Sequence, residues 1–276
     1  MPGPRAVGEL LRHAPGRVEA LWLDRRHEGG ELVALAEAAG IEPQWQESRA
    51  LSRRAPDLDC QGVLVRARPP VLVDLEDLLD AALAEPAERA ERAEPAESGG
   101  ARGRAEAVAS EPAEAAPGEP EPAGPGRRVL VALDGVQDPQ NLGAIMRTCE
   151  FFGVLGLVWP RDRAAGVTPA VVRASAGASE RLPLCRVVNL ARALEAAAER
   201  GLWVVGTVPQ GGQPLPKLVA EDGIPDPVLV VMGGEHGGLR RLTRARCDLL
   251  VTIPGRGGVA SLNVSAATAA TLAWLS

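Results

Sequence analysis

The sequence predicts an α/β protein with a carboxy-terminal parallel-sheet domain and a smaller amino-terminal α/β domain. Three observations carry this reading. From Arg128 onward, short continuous apolar runs alternate with helix-spaced segments, the pattern of parallel strands buried on both faces. Residues 85–126 hold 12 Ala, 10 Glu, 7 Pro and 6 Gly, a composition that cannot form a core. Before that break, residues 1–72 mix strand alternation with helical spacing, enough for one small unit.

In chain order, Val7, Leu10 and Leu11 predict a helix over 4–13, and a strand follows over 17–23. A second helix spans 30–40, buries Leu32, Leu35 and Ala36, and stops at Gly40. Short strands are expected at 44–47 and at 61–68, where Val63 and Val65 alternate with polar neighbours. His13 and His27 are isolated and read as surface residues. No acid pair, metal spacing or nucleophile motif appears, so this unit reads as a binding module. Residues 73–84 form a short amphipathic helix, and residues 85–126 a disordered acidic tether. The domains expected are therefore 1–72, a helix plus linker over 73–126, and 127–276.

Beyond the tether, Val129 to Leu133 is a continuous apolar strand. Further strands are expected at 154–159, 184–187, 202–207, 228–232 and 249–253, with helical patterns between them.

Charge and cysteines narrow the function. The net charge of −6 argues against a nucleic-acid partner until it is located: residues 85–126 contain ten Glu and four Arg, which account for all of it. The rest of the chain is neutral, and its basic residues are arginines apart from Lys217, a type that grips phosphate bidentately. The four cysteines lie far apart with no CxxC pair, which indicates neither a zinc site nor a disulfide framework. With no bilayer-length apolar run and no signal-peptide core, a cytoplasmic protein is expected.

Three stretches carry chemistry. The first is Leu133-Asp134-Gly135-Val136-Gln137-Asp138-Pro139-Gln140-Asn141-Leu142-Gly143-Ala144, with Arg147 beyond it. Asp138-Pro139 starts a turn, Asn141 is placed to cap the following helix, and Gly143 and Ala144 keep that helix slim for a close neighbour. The second is Met232-Gly233-Gly234-Glu235-His236-Gly237-Gly238-Leu239, at the carboxyl end of a strand, where open α/β sheets bind ligands. It is not a P-loop, because no Gly-Lys-Ser/Thr follows, and the GxGxxG order is absent. Glu235 stands alone among glycines, poor evidence for hydrolysis, and His236 reads as a solvated loop residue. The third runs from Ile253-Pro254 through Gly255, Gly257 and Gly258 to Ser261-Leu262-Asn263-Val264-Ser265. It is a strand, a glycine loop open to a ligand, and a helix capped by Asn263 or Ser261.

In this order, at the ends of three strands, the stretches resemble the SpoU (TrmH) class of RNA ribose 2′-O-methyltransferases. Within it they are similar to the bacterial enzymes that methylate a guanosine of large-subunit ribosomal RNA. The resemblance covers residues 128–275, and Ala6-Val7 and Gln61-Gly62-Val63 more weakly resemble the class's ribosomal-protein-like RNA-binding domain. It implies a trefoil knot of the SPOUT superfamily, in which the chain end threads an earlier loop. It implies S-adenosylmethionine as cofactor, held mainly by backbone at Gly233, Ile253 and Leu262, with Gly206 and Thr207 on the adenosine side. It implies a homodimer whose site forms where two knots meet and structured RNA as substrate; no metal is expected, because the sequence offers no metal-ligand spacing. Asn141, Arg147, Glu235, Ser261 and Asn263 match its functional positions. His236, where a small residue is frequent, and Gly255, where a larger apolar one is frequent, depart from the pattern.

The resemblance gives Arg147 the role of proton acceptor. A guanidinium is effectively always protonated, so a phosphate clamp that orients the ribose hydroxyl stays open beside it. Two other readings are kept: a tRNA 2′-O-methyltransferase and a non-catalytic RNA-binding assembly factor. The final helix offers Val264, Ala267, Ala270 and Thr271 as a small-residue face for a second subunit.

Overall fold

The computed structural model describes residues 3–56, 60–84, 127–235 and 237–276. The expected tether, 85–126, lies outside the described residues. The described chain has two sheets, and the larger one positions the candidate site.

The amino-terminal layer runs α1 (Pro4–His13), β1 (Val18–Leu23), α2 (Glu31–Ala38), β2 (Gln44–Trp45), α3 (Ser48–Arg54) and β3 (Val63–Ala67). β1 lies between β2, which is parallel to it, and β3, which is antiparallel. Val7, Leu10 and Leu11 from α1 and Leu32 and Ala36 from α2 pack on Leu21, Leu23, Val63 and Val65. Gly40 has φ 69°, the left-handed conformation that ends α2 without strain. Sequence periodicity misses α3 because Leu51 is the only side chain it buries.

α4 (Leu75–Leu83) leaves this layer and joins the other core. Its Leu78, Leu79 and Ala82 pack with Leu130, Ala132 and Val158 of the large sheet. The fit is close: a Cβ on Gly156 would come within 2.3 Å of the Leu78 Cδ1 atom.

The large sheet contains β4 (Val129–Asp134), β5 (Gly156–Pro160), β6 (Leu184–Val187), β7 (Trp203–Thr207), β8 (Gln213–Pro214), β9 (Val228–Gly233) and β10 (Leu249–Thr252). Its order is β6-β5-β4-β9-β7-β10-β8, and every pairing is parallel. Side chains alternate between two cores. Val129, Val131 and Leu133 of β4, with Val228, Val230 and Met232 of β9, face one core. Leu130 and Ala132, with Leu229 and Val231, face the other, where α4 and α7 (Leu190–Glu199) pack. The first face carries α5 (Pro139–Phe151), α6 (Pro169–Ala174), α8 (Leu215–Ala220) and α10 (Val264–Leu275). The short α9 (Arg241–Arg244) links β9 to β10.

Two sequence expectations need correction. Asn141 does not cap α5. Asp138 does, its carboxylate accepting the Gln140 amide at 2.9 Å, because Pro139 occupies the first helical turn; Asn141 thereby enters the helix and is buried. On α10, Val264 and Thr271 are buried and Ala267 packs against the core, so this face meets α5 of the same chain. The outward face carries Ala266, Ala273 and Trp274 instead, with Trp274 47% exposed.

The amino-terminal layer and the large sheet form one compact unit. Arg17 pairs with the fully buried side chain of Glu180, and Glu9 meets Arg181 at 3.5 Å. Burial pushes the Glu180 carboxyl up from its ordinary value, and the Arg17 guanidinium only partly offsets that. Gly177, with φ 94°, lies so close to α1 that a Cβ there would sit 2.4 Å from Glu9 Cγ.

Candidate active site

The strand order places the site. From β4 the chain steps outward through β5 and β6, then crosses to β7 on the other side, and β9 later fills the gap. The carboxyl ends of β4, β9 and β7 therefore meet at a topological switch point, the position where open α/β sheets bind ligands. Asp134, Gly233 and Thr207 end these strands, and Thr252 ends the neighbouring β10.

Here three backbone segments cross at contact distance. A Cβ on Gly233 would lie 2.4 Å from the Gly238 carbonyl carbon, and one on Gly234 would lie 2.3 Å from the Gly135 oxygen. Gly234 donates its amide to the Asp134 carbonyl at 2.8 Å and forms an antiparallel bridge with Gly238. Only glycine permits such packing, which accounts for Gly233 and Gly234, while Gly238 takes a left-handed φ of 62°. Gly143 serves α5 in the same way: a Cβ there would lie 2.4 Å from Ala174 Cβ of α6.

The crossing presents Glu235 to α5. Asn141 donates Nδ2–H to Glu235 Oε1 at 2.6 Å, and its Oδ1 accepts Asn263 Nδ2–H at 3.1 Å. Asn263 Oδ1 then accepts the Ser265 amide at 2.8 Å and hydroxyl at 2.7 Å, which makes Asn263 the cap of α10. One residue from each of the three stretches thus enters a single relay. The carboxylate and the cap together fix which way the Asn141 amide points, because its two ends have opposite hydrogen-bonding roles. Glu235 is exposed, so its carboxylate also faces outward from the relay.

The other expected residues are placed differently. Arg147 is exposed on α5 and makes no hydrogen bond or ion pair among the described residues. It lies six positions after Asn141, about 120° around the helix axis at 3.6 residues per turn, so it does not join the relay. Ser261 is exposed, and Leu262 is 54% exposed beside the 84% exposed Val259. Ile253 is half-buried just past β10. Thr207 donates its hydroxyl to the Val231 carbonyl at 3.0 Å, and Gly206 packs under Cys247 and Leu239. Burial pushes the pKa of the Cys247 thiol, which packs on Gly206, up to about 12. His236 lies outside the described residues.

Sequence reasoning missed Asp134. It is 1% exposed, and its Oδ2 accepts the Arg240 amide at 2.7 Å. The signal available was its place as the one charged residue closing an apolar run.

The backbone around the site fits a ligand held by main-chain groups. At Gly237, Gly255, Gly257 and Gly258 the position of a Cβ meets no atom within 4 Å, so side-chain space is open along these loops, and Leu262, which follows the second of them, is exposed. Among the described residues no three His, Cys, Asp or Glu side chains are grouped to hold a metal ion. Among the same residues no helix is long and apolar enough to cross a membrane.

Comparison with known proteins converges on one family. The profile of the SpoU rRNA Methylase family matches residues 128–273. The 23S rRNA (guanosine-2′-O-)-methyltransferase RlmB of Pseudomonas aeruginosa is 37% identical over 272 residues, covering 96% of this chain and 91% of the relative. That of Vibrio cholerae is 33% identical over 268 residues, with 96% and 91% covered. Among solved structures, the SpoU methyltransferase AviRb from Streptomyces viridochromogenes in complex with AdoMet shares the fold. Its TM-score is 0.67 at 22% identity, over 100% of this chain and 88% of that one. An AdoMet-bound rRNA methyltransferase from Sinorhizobium meliloti gives 0.66 at 22% identity, over 100% and 85%.

Proposed function

The chain belongs to the SpoU rRNA methylase family, and from that premise we propose that it methylates a guanosine ribose 2′-hydroxyl of 23S ribosomal RNA, using S-adenosylmethionine. The observation that carries the reading is the Glu235–Asn141–Asn263 relay at the switch point. Relatives bearing the same activity in their names match almost the whole chain, which favours ribosomal RNA over tRNA and a catalyst over an assembly factor.

The cofactor supplies a methyl group on a sulfonium. Gly233, Ile253 and Leu262 would hold it through their peptide groups, beside the bare glycine loops. The finer fold we propose is the family's trefoil knot, supported by membership of that family. The relay acts on orientation. Glu235 and Asn263 hold the Asn141 amide still, and Asn141, Glu235 and the exposed hydroxyl of Ser261 supply hydrogen bonds that align the ribose. We assign Arg147 to a target phosphate: it is exposed, without an acidic partner among the described residues, and a guanidinium grips phosphate bidentately.

That arginine stands apart from the relay of its own chain, which supports a site completed by a second subunit. Phe151, 79% exposed at the end of α5, and Ala266, Ala273 and Trp274 on the outer face of α10 offer an apolar surface for a homodimer. In the amino-terminal layer, exposed Arg25 and Arg26 stand beside α3, which carries Arg49, Arg53 and Arg54. Arg26 donates to Ser48 at 2.9 Å, linking the two groups. We assign this basic edge to the RNA backbone.

A ribose-methylation map of ribosomal RNA from a strain lacking the gene tests the reading. One guanosine of 23S rRNA should lose its 2′-O-methyl group and regain it with the wild-type gene. A map without any missing site, or one missing site in tRNA alone, would overturn it.

A further inference from the structure

We infer that Asp134 is a positioning residue for the reaction: with its backbone oxygen and its carboxylate it clasps both ends of the loop that carries Glu235. The inference rests on the methyl-transfer reading above and adds a residue to it. The Asp134 carbonyl accepts the Gly234 amide at 2.8 Å, and the Asp134 Oδ2 accepts the Arg240 amide at 2.7 Å. Those two amides bracket the loop. Inside it, Gly238 donates its amide to the Gly234 carbonyl at 3.2 Å, so the loop is closed on itself as well as on β4.

The cost of this arrangement argues for a purpose. The Asp134 side chain is fully buried, and a buried carboxyl group is expensive unless its oxygens are matched. Among the described residues its Oδ1 has no hydrogen-bond partner, and the Arg240 guanidinium pairs with it only at 3.6 Å. That guanidinium lies over Gly135, whose φ is 84°, with Nη2 3.3 Å from the position of a Cβ. A strand end that only needed filling would be served by an apolar residue, as the rest of β4 is. What the carboxylate adds is a fixed separation between Gly234 and Arg240. Glu235 follows Gly234 directly, so that separation sets where its carboxylate meets Asn141.

Two variants at Arg240 isolate the clasp from the charge. Arg240 has φ −62°, a value proline adopts, so Arg240→Pro deletes the donated N–H without forcing that angle, whereas Arg240→Ala deletes only the guanidinium. Amide exchange at Gly238 reads the loop, and exchange along β4 and β9 reads the sheet. In Asp134→Ala and Arg240→Pro, Gly238 should exchange about tenfold faster or more while the sheet stays protected. Single-turnover methylation should fall by about tenfold or more without a matching rise in half-saturation by RNA. Arg240→Ala should stay within about threefold in both measurements, and Asp134→Asn, which keeps an oxygen acceptor, should recover most of the loss. If Arg240→Pro exchanges and methylates like Arg240→Ala, the clasp positions nothing and the inference fails. Should Asp134→Ala not fold, the Arg240 pair decides alone. Should the wild-type chain methylate no RNA, the functional reading fails while the Gly238 comparison still decides whether the clasp exists.

Discussion

Asn141 and Glu235 are 94 residues apart in sequence, yet the Nδ2 of one donates to the Oε1 of the other at 2.6 Å. The contact depends on directionality: an amide nitrogen faces a carboxylate, and an amide oxygen faces Asn263. Asn141→Asp replaces the donor with a second carboxylate, and like charges at this distance repel. Its single-turnover methylation should fall about 100-fold, the scale of a reacting group misplaced by about 1 Å, while Glu235→Gln, which retains an oxygen acceptor, loses less. Equal losses in the two variants would contradict the directional relay.

Arg147 makes no ion pair or hydrogen bond among the described residues and is exposed, so its removal should not disturb folding. Arg147→Ala is expected to keep the wild-type unfolding temperature and S-adenosylmethionine affinity by calorimetry, but to lose about 100-fold in single-turnover rate. Arg147→Lys should restore part of it, because an ammonium still binds phosphate as a point charge. No restoration in Arg147→Lys would argue for a role specific to the guanidinium.

Glu180 makes the joint between the amino-terminal layer and the large sheet pH-sensitive. Its folded-state pKa is raised, chiefly by burial, above the ordinary value of 4.5. A raised acid takes up its proton first in the folded state. Its contribution is therefore fully present below the unfolded pKa and lost as pH rises through the folded one. Glu180→Gln cannot titrate. The difference in unfolding temperature, wild type minus variant, should grow as pH is lowered from 7.5 towards 5, and a flat or opposite trend would show that the Arg17 pair dominates instead.

The two flanks of residues 85–126 meet: Arg128 Nη1 donates to the Leu83 carbonyl at 3.4 Å. A segment leaving and returning at one place can be shortened at little cost, because loop-closure entropy changes by only about 0.6 kcal/mol per doubling of length. Replacing residues 88–122 by a short Gly/Ser linker should move the unfolding temperature by no more than about 2 °C and leave cofactor affinity unchanged. RNA affinity at low salt should rise modestly as an acidic competitor for arginine is removed. A large fall in unfolding temperature would show that the segment contributes to the fold.

How much of this is legible in the sequence depends on how local the cause is. β4 is readable because both its faces are buried, which makes Val129 to Leu133 apolar without interruption. α3 is not, since it buries only Leu51. The Asn141 error has a local cause too: Asp138 and Asn141 can both cap a helix, and the choice turns on Pro139 taking the first turn. On α10 the small residues were visible but their direction was not, because alanines run around most of the helix and both faces look alike from spacing. For the site, the three stretches stand out by their glycines and amides. Their union through Asn141 is a property of strand order, which no single stretch encodes.

The seating of α4 on Gly156 has a consequence for dissecting the chain. The composition break at residue 85 invites a fragment beginning at Arg127, but that fragment would leave Leu130, Ala132 and Val158 without the cover of Leu78, Leu79 and Ala82. Each leucine lost from such a site costs about 2–5 kcal/mol, so the fragment should be poorly soluble and bind a hydrophobic dye. A synthetic peptide of residues 73–84 supplied in trans should dock into the vacated groove and quench that binding. Leu78→Asp in the peptide should abolish the complementation.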